Sequence, residues 1–281
     1  MKRVKTTSTE TLPAVAPLDV RPAFLGQLNR WLWRAVTFIL PWAAVVFVWF
    51  LIPYTGLVSP ALVPSPEVVA AKFIRLMTEN RLWLDILVST GRVLTGLTCG
   101  IAVAIPVAFG LGWYPPARRL VDPLVNFFRS LPPIALIPLI IVYFGIDELA
   151  KVVMLFYAAF FASVIVMYEG IVQTNPVFIR VARTLGATDL QLFWRVIVPL
   201  SVPHMLTALR VALGVSWATL VAAELVAAQR GLGAVIQNAS NFFQIDTIYV
   251  GIICIGAVAV LMDALVRAVA KRAVSWQERM V

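Results

Sequence analysis

Charged residues are scarce in this chain of 281 residues, since Asp, Glu, Lys and Arg together make up 13% of it. Soluble domains are usually about one quarter charged. Hydrophobic residues make up 61% of the chain. The composition therefore excludes an ordinary soluble domain and predicts an all-α integral membrane protein with several spans.

Residue types that carry catalysis or bind metals are also scarce. The chain has one histidine, His204, and two cysteines, Cys99 and Cys254, which lie in separate apolar runs. Because the cysteines lack CxxC spacing and a nearby histidine, they predict neither a disulfide nor a metal site and are interpreted as packing residues. No nucleophile and acid accompany His204, so the sequence predicts no catalytic residue and argues against an intramembrane enzyme.

The chain contains no GxxxxGK[ST] sequence. A phosphate-binding loop needs glycine-rich backbone amides and that lysine to hold a nucleotide. We therefore expect that this chain does not hydrolyse ATP, and that any nucleotide is bound by a separate subunit.

The distribution of positive charge predicts six spans with both termini in the cytoplasm. Fifteen of the 23 Lys and Arg residues lie in the two terminal segments, at Arg118-Arg119, and between the fourth and fifth apolar runs. The three alternate segments hold five, and positive residues accumulate on the cytoplasmic side. The net charge of +9 is thus explained by membrane topology. Nucleic-acid binding is not expected, because the sequence shows no soluble domain with a basic surface for it.

The apolar runs set the bounds of the six predicted spans: 35–52, 93–113, 124–144, 152–168, 205–223 and 248–266. Residues 1–34 are predicted to be a cytoplasmic tail, disordered at first, with an interfacial helix at 27–34. Residues 35–281 are predicted to form the transmembrane domain. Because the first apolar run follows a long polar lead, we expect no cleavable signal peptide.

Small residues recur at every fourth position of the second span: Gly96, Gly100, Ala104, Ala108 and Gly112. In lipid, helices associate closely where small side chains let their backbones approach each other. The pattern therefore predicts a packing ridge rather than a contact with a solute.

Three prolines, Pro132, Pro133 and Pro138, interrupt the third span. Proline removes a backbone donor, and unwound backbone at membrane depth must face protein or a water-filled cavity. These prolines are candidates to line a transport pathway, and a simple packing kink is the alternative.

Glu224 ends the fifth span, where an ionised carboxylate is costly unless it has a partner or a function. Arg210 and Arg230 are its candidate partners. A second group of candidate pathway or gate residues is built around this carboxylate: Trp217, Glu224, Arg230, Gly231 and Gly233. A structural ion pair is the alternative to a gating role. The stretch 228–241 is predicted to be too polar to span and too glycine-rich for a firm helix.

A polar stretch at about residues 171–202, here named the docking segment, separates the fourth and fifth spans. Thr174 or Asn175 is suited to cap a short helix over 177–185, with Pro176 in its first turn and Gly186 as its stop. A second helix is predicted over 187–196, with Thr188 or Asp189 near its start. Pro199 and Pro203 are predicted to interrupt the chain where it returns to apolar sequence.

The first short helix of the docking segment presents Phe178, Val181 and Leu185, with Arg180 and Arg183 nearby. We expect the three apolar side chains to fill a groove in a partner and the arginines to lie at its rim. The alternative is a solvated basic loop that merely obeys the topology rule.

The docking segment resembles the cytoplasmic EAA loop of ATP-binding-cassette (ABC) importer permeases. The matching positions are Arg180-Val181-Ala182, Gly186 and Val196-Ile197-Val198-Pro199, with Arg180 where the family usually has Glu. The resemblance implies that a coupling helix transmits force from a separate ATPase. The residues to which it assigns this role are Phe178, Arg180, Val181, Ala182, Arg183, Thr184, Leu185, Gly186 and Pro199.

The resemblance extends over about residues 64–276. Pro132-Pro133-Ile134-Ala135-Leu136-Ile137-Pro138, followed by Phe144-Gly145-Ile146, resembles the third span of sulfonate, nitrate and taurine permeases. The stretch 216–225, then Arg230-Gly231-Leu232-Gly233 and Trp276 after a basic run, is most similar to taurine permeases. This likeness implies the type I ABC importer permease fold, in a bacterial inner membrane.

The same resemblance implies a set of partners: a second copy of the chain, two cytoplasmic subunits that bind ATP and Mg, a periplasmic substrate-binding protein, and membrane lipid. The implied solute is taurine or a related small sulfonate, with nitrate or another small solute of the family as the alternative. An ion-coupled secondary carrier is a further alternative, but such carriers commonly have internal repeats and intramembrane acids. No clear repeat and few such acids occur here.

Overall fold

The computed structural model describes residues 23–55, 59, 61–79 and 81–274, and nearly all of them are helical. The α-helices, in chain order, are α1 (Ala23–Leu51), α2 (Pro66–Thr78), α3 (Arg81–Trp113), α4 (Pro115–Ser130), α5 (Ile137–Phe144), α6 (Glu148–Val172), α7 (Pro176–Thr184), α8 (Asp189–Leu192), α9 (Val198–Ala227), α10 (Leu232–Asn241) and α11 (Ile245–Ala273). Short 3₁₀ turns lie at Ile52–Tyr54 and Pro133–Leu136, and a π-helical turn at Phe193–Ile197. The predicted helical class is confirmed.

Residues 1–58 and residues 59–281 form two compact units. The first unit contains α1, in which the predicted interfacial helix at 27–34 and the predicted first span at 35–52 belong to one continuous helix. The earlier part of the predicted disordered tail lies outside the described residues, as does Trp276.

Four helical segments within the described part of the chain are long and apolar enough to span a membrane: Arg81–Trp113, Glu148–Val172, Asp189–Ala227 and Ile245–Ala273. They contain the predicted second, fourth, fifth and sixth spans and extend each of them. The predicted third span corresponds to α4 and α5, which pass the same test as a pair. Within α1, the stretch Ile39–Leu51 is a shorter apolar helix.

The α4–α5 pair is bent by 85° between Ser130 and Pro133, so the predicted interruption by prolines is confirmed. The Phe128 carbonyl, freed at the end of α4, accepts a hydrogen bond from the Leu131 N–H and another from the Tyr157 hydroxyl of α6. Internal partners of this kind are required of backbone groups at membrane depth.

The basic pair Arg118 and Arg119, between the second and third predicted spans, lies in helix α4. Pro115 and Pro116 occupy the first turn of α4, where proline needs no hydrogen-bond partner for its nitrogen. Arg118 then pairs with Asp122 one turn later at 3.4 Å. Helix formation by these residues explains why the connection after α3 is so short.

The small-residue ridge of α3 packs against α6, as predicted. A Cβ atom added to Gly100 would lie 2.7 Å from the Ala159 Cβ, and one added to Gly112 would lie 2.5 Å from Ile171. Gly96 faces Leu155 even more closely. Each glycine lies the same number of residues before its contact residue in the sequence. The two helices therefore advance in the same direction, and α3 and α6 run parallel.

We expect Gly96→Ala to lower the free energy of unfolding by about 1–3 kcal/mol, because the new methyl group overpacks the contact with Leu155. SDS-induced unfolding of the purified protein measures this change. Gly110→Ala is the matched control on the same helix, since its Cβ would meet nothing within 4 Å. An alanine in a helix is otherwise favoured over glycine, so equal effects of the two substitutions would contradict the packing role of the ridge.

Candidate functional site

The predicted coupling residues and the predicted residues around Glu224 lie at opposite ends of α6. The docking segment begins at the end of α6, whose last residue is Val172 and whose first residue is Glu148. These two residues are ~36 Å apart along the helix, at about 1.5 Å per residue. The two groups therefore have separate roles.

Helix α7 of the docking segment is capped at both ends by its own sequence. The Asn175 side chain accepts a hydrogen bond from the Val177 N–H at 2.9 Å, which identifies Asn175 rather than Thr174 as the cap. Gly186 has a φ of +80° and stops the helix as predicted. The Ala187 and Gly186 N–H groups donate to the carbonyls of Ala182 and Arg183 respectively, both at 3.0 Å. This Schellman arrangement satisfies the helix end and makes α7 a self-contained rigid unit.

The second helix of the docking segment continues into the fifth span. Thr188 and Gln191 form a capping box at its start, which confirms Thr188 as the predicted start. The prediction that Pro199 interrupts the chain is wrong. A π-helical turn over Phe193–Ile197 precedes Pro199 and widens the helix where the missing N–H would break a normal turn, so Asp189–Ala227 is one helical segment.

Helix α7 presents an apolar face to the outside. Phe178, Val181 and Leu185 lie at i, i+3 and i+7, and Leu185 is 82% exposed. The face borders a cavity of about 540 Å³, and we name its lining residues the docking face: Phe178, Val181, Ala182, Leu185, Arg195, Val196, Pro199 and Leu200. Such an apolar patch, rimmed by charge, is typical of a protein contact.

The remaining predicted coupling residues include two arginines of α7. Arg180 is exposed, and its carbonyl accepts a hydrogen bond from the Thr184 hydroxyl. Arg183 is also exposed and pairs with Asp189 at 3.4 Å. The place of these two arginines at the rim of a partner's groove stays a prediction.

The other group is organised around Glu224, whose side chain is fully buried. Its carboxylate accepts hydrogen bonds from Arg92 Nη1 at 2.5 Å, from the Ser89 hydroxyl at 2.8 Å, and from the Gly233 N–H at 2.8 Å. A buried carboxylate with three donors is strongly bound in place.

Arg92 joins Glu224 to two further groups. Its Nε and Nη2 atoms bind both oxygens of Glu148 at 2.6 Å, and Nη1 donates to the Arg230 carbonyl at 2.7 Å. Lys151 donates to Glu148 at 2.8 Å. We name Arg92, Glu148, Lys151 and Glu224 the ionic cluster. It connects α3, α6 and α9 with the turn that leads into α10.

The prediction that residues 228–241 form no firm helix is wrong, since α10 covers Leu232–Asn241. Its glycines lie at its beginning rather than within it. Gly231 has a φ of +119°, and a Cβ there would clash with Glu224 and Arg92. The first N–H groups of α10 are bound by side chains of other helices: Gly231 by Asp85 at 2.9 Å, and Leu232 by Ser89 at 2.8 Å. The start of α10 is thus capped by side chains from another helix rather than by its own sequence.

The predicted partners of Glu224 are also wrong. Arg210 binds Asp263 at 2.8 Å, and Asp263 also pairs with Arg267 at 3.1 Å, as expected from their spacing. Arg230 is exposed and contributes only its carbonyl to the cluster. Sequence reasoning missed Asp85, Ser89 and Arg92. Their spacing of four and then three residues, which puts them on one face of α3, was the available signal.

A polar cavity of about 770 Å³ adjoins the ionic cluster. Its lining includes Arg92, Glu148, Lys151, Gln229 and Arg230. The predicted residue Trp217 is not in this cavity, because it is 4% exposed and packed in the core. Gly231 and Gly233 are buried beneath Glu224.

The predicted pathway prolines are separated from the ionic cluster. Pro132 and Pro138 are exposed and Pro133 is half-buried, and all three lie at the bend between α4 and α5. Pro133 lines a further cavity of about 300 Å³, together with residues of α6 and α9. The structure thus separates the candidate pathway residues into two places.

The chain is similar to known transport proteins over most of its length. The model of a family described as "binding-protein-dependent transport system inner membrane component" matches residues 96–275. A probable ABC transporter permease protein of Brucella abortus (strain 2308) is 44% identical over 86% of this chain and 95% of its own.

Two relatives in Escherichia coli (strain K12) have more specific names. A taurine transport system permease protein is 35% identical over 88% of this chain and 93% of its own. A putative aliphatic sulfonates transport permease protein is 33% identical over 84% of this chain and 89% of its own.

Solved structures share the fold. A methionine ABC transporter in an inward-facing conformation has a TM-score of 0.56 and 20% identity, covering 68% of this chain and 97% of its own. An amino acid ABC transporter has a TM-score of 0.57 and 18% identity, covering 74% of this chain and 98% of its own. The chain therefore has the fold of type I ABC importer permeases.

We expect Arg92→Met to lower the free energy of unfolding by about 3–5 kcal/mol, because it leaves the Glu224 carboxylate buried without a counter-charge. SDS-induced unfolding measures the loss. Arg267→Met is the matched control, since its pair with Asp263 is half-exposed and contributes at most about 1 kcal/mol.

The double variant Arg92→Met, Glu224→Gln removes both charges while keeping an acceptor for the Gly233 N–H. It is expected to be more stable than Arg92→Met alone. A double variant as unstable as the single one would contradict a charge-pairing role of Arg92.

Proposed function

The chain belongs to the family of binding-protein-dependent transport system inner membrane components and is the permease subunit of an ABC importer, and we propose that it carries taurine or a related small sulfonate. It is a transport component rather than an enzyme, and the ATPase is a separate subunit. The names of the taurine and aliphatic sulfonate relatives support the solute class. Nitrate or another small solute of the family is the alternative.

We infer an assembly of two copies of this chain, two cytoplasmic subunits that bind ATP and Mg, and a periplasmic binding protein that delivers the solute. The proposed location is the inner membrane, with the docking segment and both termini in the cytoplasm. The clustering of lysine and arginine in those segments supports this orientation.

The observation that carries the proposal is the docking face. Its exposed apolar side chains have no cover among the residues that the structure describes, yet α7 holds them rigidly through its caps. A groove in the ATPase subunit is the proposed occupant, with Phe178, Val181 and Leu185 inside it and Arg180 and Arg183 at its rim. Ala182, Thr184, Gly186 and Pro199 shape the helix and its stop.

The continuity of Asp189–Ala227 supports the proposed transmission of force. This segment starts beside α7 and ends at the ionic cluster, within which Glu224 holds the beginning of α10. We propose that movement of the docking segment, driven by ATP in the partner, tilts α9 and alters access at the other end. Glu224, Arg230, Gly231 and Gly233 form the proposed gate on that side, with Trp217 packed behind it.

The bend at Pro132, Pro133 and Pro138 is the proposed lining of the pathway between these ends. Broken helices are common where transporters bind solutes near the membrane midplane. The bend exposes two of the three prolines in a single copy of the chain, as expected of residues that line a space between two copies.

We expect Leu185→Asp to abolish co-purification of the ATPase subunit from native membranes, because it places a charge in the centre of an apolar contact. The measurement is the ATPase recovered with the tagged permease at equal membrane insertion. Leu62→Asp is the matched control, since Leu62 is 63% exposed and lies outside the docking segment.

The double variant Arg183→Glu, Leu185→Asp is expected to show the same loss. Recovery of the ATPase with the double variant at the level of the unmodified chain would contradict the docking role. Taurine uptake that persists without the ATPase would favour an ion-coupled carrier.

A further inference from the structure

Three arginines fall within or at the ends of the predicted spans, and one of them differs from the other two. Arg92 is paired with Glu224 and Glu148, and Arg210 is paired with Asp263. Arg129 makes no hydrogen bond or ion pair through its side chain with any other residue that the structure describes. Unpaired charge within a membrane protein is costly and indicates a partner outside the chain or a function.

Arg129 lies at the end of α4, one residue before the break in the third span. It lines the cavity of about 300 Å³, together with Tyr157 and Phe161 of α6 and with Val211 and Val215 of α9. That volume is at the lower end of the range for small-molecule sites, about 300–1,000 Å³. The cavity is therefore of a size for a small solute.

The cavity lies near the middle of the spans. Val211 is ~20 Å along α9 from its first residue and Val215 is ~18 Å from its last, at about 1.5 Å per residue. Arg129 is exposed in a cavity that lies this far from both ends of α9, and there its guanidinium is poorly placed to reach the lipid headgroups. A water-filled pathway is the environment that suits it.

The chemistry of the lining selects for an anion. Arg129 contributes the only charge among the described residues of the cavity, and no carboxylate is present to neutralise it. Tyr157 is the other side chain with a polar group there, and its hydroxyl is engaged by the Phe128 carbonyl. A guanidinium binds the oxygens of a sulfonate in the same forked manner as those of a carboxylate or phosphate.

We propose that the Arg129 guanidinium binds the sulfonate group of the transported solute where the third span is broken. This inference rests on the proposed function and adds a binding residue to the pathway. Tyr157 is a positioning residue: by holding the last turn of α4 through the Phe128 carbonyl, it fixes the place of Arg129. The apolar walls contact the carbon chain of the solute, and the cavity supplies no counter-charge for an amino group.

The test uses the full complex with its ATPase and binding protein, reconstituted in phosphatidylcholine liposomes. Uptake of radiolabelled taurine and hydrolysis of ATP are measured side by side. Arg129→Gln is expected to lower uptake about tenfold or more while assembly and ATP hydrolysis are retained, since charged hydrogen bonds contribute about that factor. Arg129→Lys keeps the charge but not the forked geometry of the guanidinium. Its uptake is expected to lie between that of Arg129→Gln and that of the unmodified complex.

Arg119→Gln is the matched control, because Arg119 is exposed on the same helix and does not line the cavity. It is expected to leave uptake unchanged. Uptake by Arg129→Gln equal to that of the unmodified complex overturns the inference and leaves the proposed function intact. A fall in uptake matched by an equal fall in ATP hydrolysis or assembly also overturns it, because Arg129 would then be structural.

Two further outcomes are separated by the design. If the effect of Arg129→Gln appears only in liposomes that contain phosphatidylglycerol, the guanidinium binds a lipid phosphate and the inference fails. If the unmodified complex hydrolyses ATP but takes up no taurine, the proposed solute fails, and the inference fails with it.

Discussion

The buried Glu224 carboxylate is the group on which the arrangement of the helix ends depends. Ionised carboxylates are expensive inside a membrane protein, so the surrounding helices must supply donors. Arg92, Ser89 and the Gly233 N–H do so, and Glu148, which also binds Arg92, is balanced by Lys151, so that the two cations and two carboxylates cancel. Removing one member therefore affects α3, α6, α9 and α10 together, which suits a place where several helices must move in concert.

The ionic cluster and the docking segment, at opposite ends of α6, differ in what holds them. At the end with the ionic cluster, contacts come from residues far apart in the chain. In the docking segment, α7 is held by its own caps, Asn175 and Gly186, and its apolar face remains open. A rigid element with an uncovered apolar face transmits the movement of whatever protein covers it. The uninterrupted segment from Asp189 to Ala227 links that element to Glu224.

Between these ends, close packing and broken backbone have different purposes. Gly96, Gly100 and Gly112 bring α3 and α6 into direct contact, which makes the pair rigid. The break at Pro132 and Pro133 does the opposite, because it turns the chain by 85° and opens a cavity beside Arg129. Rigid pairs that flank a broken helix would let the proposed pathway open without unfolding its walls.

Local physical rules in the sequence determined the membrane class, the positions of the long helices, the glycine ridge, the proline break, and the caps of α7. Each of these depends on residues that are neighbours in the chain or repeat with the period of a helix. Only the tertiary structure decided the partner of Glu224, the helical state of α10, and the continuity through Pro199. Arg92 and Glu224 are distant in sequence, and α10 starts with donors bound by Asp85 and Ser89. Periodicity carries no information about contacts of that kind, because they are set by how the helices pack.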